Sequence, residues 1–224
     1  MKVSTWNSLV VVSLLAMFCV TAIGCGGSTG GSGYDSPQAV YDAMKAAGEK
    51  KDWKGVSQCM TPESQSAMSG AMVMMGTMMK SMGALVAMGG GEEAEEFKTA
   101  MEKIDKILEK HGVTEEALKG AQEKMATMQT ASDSEKLATL TQFASSIKDK
   151  PAFLAEMLTV LEDMQQGKSP VALDNSELQG LEVDGDTATG MIVKTVDGEK
   201  QEEPIEFKKI NGGWLVEIPM AEAM

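Results

Sequence analysis

The chain contains no arginine: all 20 of its cations are lysines, set against 33 aspartates and glutamates. Arginine is the residue whose planar fork grips phosphate or carboxylate at two points, so clamp chemistry of that kind has nothing to perform it. A formal net charge of −13 also works against a phosphate backbone, which is bound by neutralising it, and nucleic acid is not an expected partner. Histidine is nearly absent. His111 is the only one, so a Ser/His/Asp triad has a single candidate base, and a zinc site would need Cys59, carboxylates or a second chain to complete it. The sequence assigns no catalytic residue, no metal ligand and no cofactor. Aromatics are scarce at 4%, while apolar residues reach 43%, charged residues 24% and methionines 20 in number. That balance belongs to folded globular proteins, here with a soft, methionine-rich core.

The first residues set location. Residues 1–7 carry one side-chain cation, Lys2, and 9–20 form an almost unbroken apolar run, too short to span a bilayer as a mature helix. This reads as a secretory signal. The Ala22-Ile23-Gly24-Cys25 that follows resembles the lipobox of bacterial lipoproteins, although Ala22 stands where that family usually has Leu. The resemblance implies cleavage after residue 24, a diacylglycerol and acyl chains such as palmitate on Cys25, and membrane attachment through that lipid; an ordinary signal cut elsewhere is the alternative. The cysteines agree with the lipid reading. Cys19 leaves with the signal and Cys25 is acylated, so Cys59 remains alone and no internal disulfide can form. Residues 26–33 are all Gly, Ser and Thr, a composition that behaves as a flexible tether, so 25–35 is expected to link the anchor to a domain at 36–219, with a frayed tail at 220–224. Removing 1–24 takes away only Lys2 and moves the charge from −13 to −14, so lipid, not electrostatics, must hold the chain at a membrane. Members of the lipoprotein family that stay in the inner membrane often carry Asp after the cysteine; Gly26 here implies a periplasm-facing site on the outer membrane.

Helices are expected first. Ser36-Pro37 is a cap followed by a first-turn proline, with Val40, Tyr41, Met44 and Ala47 at helical spacing; Asp52 and Thr61-Pro62 repeat the start signal. Residues 92–110 place Phe97, Met101, Ile104, Ile107 and Leu108 on one stripe up to Gly112, and Thr114, Ser132 and Asp149 open further helices. After Pro170 the period becomes two. A strand is expected around 177–183, then strands around 187–196, 205–207 and 214–218, joined at Asp184-Gly185-Asp186, Asp197-Gly198 and Asn211-Gly212-Gly213. The class is therefore α+β: an N-terminal helix packed on a C-terminal antiparallel β-meander (177–219), separated by a long all-helical insertion (62–166). Val40, Val193, Phe207 and Trp214 are expected in its core. Residues 36–64, SPQAVYDAMKAAGEKKDWKGVSQCMTPES, and the terminal DGEKQEEPIEFKKINGGWLVEIP resemble the NTF2-like superfamily and its uncharacterised lipoprotein branch. The matching stretches, 36–64 and 178–219, cover roughly a third of the chain, and the chain departs from the family at the insertion. It implies a non-catalytic ligand-binding or protein-scaffolding lipoprotein, with another envelope protein or a small apolar ligand as partner. The alternative is a small-molecule enzyme with an NTF2-like pocket, whose Tyr and Asp cannot be mapped onto Tyr41 and Asp42. An enclosed apolar cavity with convergent carboxylates would favour the enzyme, and a filled core the scaffold.

The candidate surface is the methionine-rich helix at 64–88. Met68, Met72, Met75, Met79 and Met82 step by four and three along one seam. Thioethers suit Cu(I), a minor alternative, since neither His nor Cys joins the seam. The same spacing serves a packing stripe, yet Gly70, Gly76 and Gly83 weaken a helix and methionine surfaces adapt to several partners. A mobile docking strip is therefore expected, with little hydrogen-exchange protection, on which Met75→Glu with Met79→Glu removes binding and spares the meander. A membrane span there is opposed by Lys80. Three other motifs read blandly: Gly167-Lys168-Ser169 as a helix stop, the glutamates at 92–96 as a dipole-favoured helix start, and His111 as a helix-end cap.

Overall fold

The computed structural model describes residues 33–89, 92–128, 130–165, 173, 175–196 and 199–218. The signal, the lipobox with Cys25, the Gly167-Lys168-Ser169 stop, the Asp197-Gly198 turn and the 220–224 tail lie outside them.

The start signals read from the sequence are made as hydrogen bonds. Ser36 Oγ accepts from the Ala39 amide (3.1 Å) and opens α1 (Pro37–Glu49). Asp52 accepts from Gly55 N (3.0 Å) and opens α2 (Trp53–Gln58). Thr61 accepts from Ser64 N (3.1 Å) ahead of α3 (Pro62–Gly89), and Asp149 accepts from Ala152 N (3.1 Å) ahead of α7 (Lys150–Met164). Each such cap satisfies an orphan amide and is worth ~1 kcal/mol. Between them run α4 (Glu92–Lys110), α5 (Glu115–Met128) and α6 (Asp133–Phe143). Gly112 has φ +81 and lets the amide of Val113 return to the Leu108 carbonyl (2.9 Å), a left-handed stop that closes α4.

The meander follows as β1 (Ser176–Asp184), β2 (Thr187–Val196), β3 (Glu199–Ile210) and β4 (Gly213–Glu217), one antiparallel sheet in sequence order. Asn211 and Gly212, both at positive φ (52 and 88), form the two-residue turn between β3 and β4 and set Glu206 opposite Glu217 and Phe207 opposite Val216. Gly180, φ +61, lies in the register break of β1 between Gln179 and Glu182. The α+β class with four antiparallel strands is as the periodicities require.

Two buried clusters account for the core. One is wholly helical: Val73 of α3, Ile104 and Leu108 of α4, Leu140 of α6, and Phe153, Leu154 and Met157 of α7 are among its members. The other joins Val40, Tyr41 and Met44 of α1, Trp53 and Val56 of α2 and Met60 to Ala188, Ile192, Ile205, Phe207, Trp214 and Val216 of the sheet. Two helices serve both. Leu158 of α7 belongs to the sheet cluster while its neighbours Met157 and Val160 belong to the helical one, and Met68 and Met72 of α3 pack against each.

Val193 is a correction. Ala188, Gly190 and Ile192 are buried and face the helices, so Val193, one residue on, points to the opposite face and is only half-buried. The end of the tether is another. Residues up to 35 read as tether because Gly and Ser run to Gly33, but Tyr34 pairs with Trp214 as an antiparallel bridge (N to O, 3.0 and 2.7 Å), and a Cβ on Gly33 would lie 2.6 Å from Gly213 C. Two backbones meet there with no room for a side chain. Met60 makes a parallel bridge to Val216 further along the same edge, so β4 is held on both sides. Beyond Glu206, β3 runs past the end of β4 through Pro204, Glu203, Glu202 and Glu199; a proline and exposed charge are what keep an open edge from recruiting another strand.

Candidate functional site

The methionine seam is built into the fold. Met68, Met72, Met75 and Met79 are half-buried; all four pack against the helical cluster, and the first two also touch the sheet cluster. The side chain of Met82 lies outside the described residues. Among the described side chains of this helix, the thioether that faces solvent is Met78, at 53% exposure, which is not in the seam. Of the two uses open to this spacing, packing is the one the contacts fill. The glycines that suggested a mobile helix have packing partners as well: a Cβ on Gly76 would meet Ile104 Cγ2 at 3.2 Å, and one on Gly83 would meet Phe97 at 3.4 Å, both on α4. Among the described residues no helix is long and apolar enough to cross a membrane, and no three of His, Cys, Asp and Glu gather as metal ligands.

Two of the buried polar groups tie distant elements together. Glu162, near the end of α7, is 8% exposed and accepts from Trp53 Nε1 at 3.1 Å and from Lys51 Nζ. Lys51 takes φ +56 in the tight turn that swings α1 into α2. Replacing Glu162 with Leu strands the indole N–H beside a carboxylate-shaped gap, and is expected to lower stability by about 2 kcal/mol, with Glu162→Gln, which keeps an acceptor, losing less than half of that. Denaturant midpoints at unchanged m-value measure both; equal losses would mean that charge, not the acceptor, is what matters. On the other side of α1, Tyr41 Oη lies 2.7 Å from Ser176 Oγ, Ser176 Oγ donates to the Leu173 carbonyl (2.6 Å), and Lys45 Nζ donates to the Ser176 carbonyl (2.7 Å). Sequence gave no sign of either node, because Glu162 and Ser176 find partners more than a hundred residues away.

The two reactive side-chain types are kept apart. Cys59 is buried in the sheet cluster, 3.4 Å from Tyr34 Oη. Burial pushes its thiol up and the Asp52 carboxylate adds to the rise, against a contrary pull from the Tyr34 hydroxyl, so the sulfur is a thiol and not a nucleophilic thiolate. His111 does not cap α4. It stacks edge-on against Phe153 of the helical cluster, centroids 5.4 Å apart, and its Nε2 lies 3.3 Å from Glu156 Oε1. Burial alone would raise the Glu156 carboxyl, but the ammonium of Lys110 at 2.8 Å and the His111 ring bring it below its usual range.

Lys110–Glu156 and Lys103–Asp163 (2.9 Å) are seven residues apart on each helix and stitch α4 to α7 in antiparallel fashion. Between them lies an open furrow of about 340 Å³ floored by Ile107 and Val160. Bound pockets of that size enclose most of a ligand and converge polar groups on it; this one is open to solvent, and the charges at its ends are already paired.

No protein-family model, no curated protein and no solved structure matches the chain.

Proposed function

We propose that the chain is a lipid-anchored envelope protein, facing a periplasm-like space on the outer membrane, whose NTF2-like domain binds or scaffolds another envelope component without catalysing a reaction. The observation that carries this reading is the filling of the space beneath the sheet. Tyr41, Trp53, Met60, Phe207 and Trp214 are each 5% exposed or less, and they stand where a pocket between helix and sheet would open. A domain of this kind works by its surface. The N-terminal helix in one cluster with the meander supports the NTF2-like arrangement, and the apolar leader followed by Ala22-Ile23-Gly24-Cys25 supports the anchor.

The anchor is tested by Cys25→Ser. Expressed with its leader in a bacterial host, the wild-type chain should take up radiolabelled palmitate and sediment with membranes, and the variant should do neither. Unchanged retention of the variant would mean that the apolar run at 9–20 remains as the anchor and that the lipid reading is wrong.

A further inference from the structure

The methionine seam is apolar because it packs, but packing does not require sulfur. Leucine fills a core in better-defined rotamers than flexible methionine does, yet eight of the chain's 20 methionines lie within the 28 residues of α3. What a thioether has and a leucine lacks is an oxidisable lone pair. It reacts without first losing a proton, and the sulfoxide it forms is polar where the parent was apolar. The other reactive sulfur is withheld: among the described residues the free thiol is Cys59, at 1% exposure.

The surroundings of these thioethers set an order of reaction. Met78 is 53% exposed and, on α7, Met164 is 38% exposed; neither is a member of a buried cluster. Oxidation there adds an oxygen to a side chain that already faces water and leaves the core as it was. Met75 and Met79 are half-buried against the helical cluster, and Met72 is half-buried against both clusters. A sulfoxide oxygen in those places needs a hydrogen-bond donor or water, so it draws water between α3 and the surfaces it packs on.

We propose that α3 is an oxidant-responsive element that consumes hydroperoxides in two stages: Met78 takes oxygen first and without harm to the fold, and conversion of the seam at Met72, Met75 and Met79 then loosens both clusters. In each event a lone pair on Sδ attacks the terminal oxygen of the peroxide, and the S–O bond forms as the O–O bond breaks. The departing oxygen keeps the bonding pair and takes up the proton of the transferred one, leaving as water from hydrogen peroxide or as an alcohol from an organic hydroperoxide. Sulfur loses two electrons and the peroxide gains them. This role is independent of the binding role above and of the anchor.

The test treats the full chain carrying Cys25→Ser with hydrogen peroxide, follows each methionine by peptide mass, and follows the fold by its thermal midpoint and by a dye that fluoresces on exposed apolar surface. Met78 and Met164 should convert first, with the midpoint unchanged. Conversion of the seam should then lower the midpoint by about 5–10 °C and bring dye binding. A methionine sulfoxide reductase with a thiol reductant reverses this rung of oxidation and should restore the midpoint. Met72→Leu with Met75→Leu and Met79→Leu, a swap of similar volume that cores tolerate, should keep the rate at Met78 and abolish the fall. The proposal is overturned if the seam stays reduced once Met78 is fully converted, or if the midpoint falls while only Met78 and Met164 carry oxygen. It is equally overturned if reduction does not restore the midpoint, or if the leucine variant loses as much, which would place the damage at another residue such as Cys59.

Discussion

Gly70→Ala is expected to lower stability by about 3 kcal/mol, a large effect for one methyl group, and the thermal midpoint by ~10 °C for a domain of this size. The cause is backbone, not side chain. A Cβ on Gly70 would lie 1.9 Å from the Leu140 carbonyl oxygen, 2.5 Å from its carbon and 2.8 Å from its Cα, so α3 and α6 touch main chain to main chain and neither can turn a rotamer away. Helix propensity acts the other way, since alanine is better than glycine in a helix by about 1 kcal/mol, and the sign of each substitution depends on which term wins. At Gly76 the obstacles are the ends of Ile104 and Leu108 side chains, at 3.2 and 3.4 Å, which can shift, so Gly76→Ala should fall within about 1 kcal/mol of neutral. At Gly120 nothing lies within 4 Å, and Gly120→Ala should stabilise. Thermal unfolding of the three variants checks the order; a Gly70→Ala variant as stable as the parent would show that the helices do not approach this closely.

Met72→Glu should be the other severe change, at about 3 kcal/mol, because it brings a charge without a partner to a position that packs against both clusters. The expected loss is shared. Helical ellipticity, which reports mainly the bundle, and the emission of Trp53 and Trp214, which sit in the sheet cluster, should fall together at one lowered midpoint. Met78→Glu, at a position 53% exposed on the same helix, should change little. Were the tryptophan transition to stay at its original midpoint while the helical signal moved, α3 would not couple the two halves. Met75 and Met79 pack on the helical cluster only, so their double glutamate substitution is expected to weaken the bundle first; the sequence alone suggested that it would remove binding and leave packing intact.

What could be read from the sequence is what local chemistry determines. Ser36, Asp52, Thr61 and Asp149 cap because a short oxygen-bearing side chain reaches an amide three residues on, and Asn211-Gly212 turns because its own backbone must go left-handed. From that turn the Glu206–Glu217 pair could have been counted off, since a two-residue loop determines the register of everything behind it. Gly70 could not. In sequence it weakens a helix, and its use depends on a carbonyl seventy residues later. The methionine seam was ambiguous for the same reason: a stripe says that a face is apolar, while only the arrangement of α4, α6 and α7 says what covers it. Val193 was misplaced although the parity of Ala188, Gly190 and Ile192 already put it on the far face.

The pairing of Tyr34 and Met60 with β4 also bears on the order in which the molecule can be made. The helical cluster draws on residues from Val73 to Val160, all of them made before the first strand, and helical packing of this kind closes in microseconds to milliseconds. The sheet cluster must wait for Trp214 and Val216, made about 180 residues after Tyr34, before Tyr34 and Met60 have anything to pair with. During synthesis the bundle can therefore form while Val40, Tyr41, Trp53 and Met60 still lack their partners on the sheet, a period in which the nascent chain offers a chaperone an apolar surface. A ribosome that stops short of β4 leaves that surface exposed for good, and such a product is marked for proteolysis by its unpaired N-terminal segment.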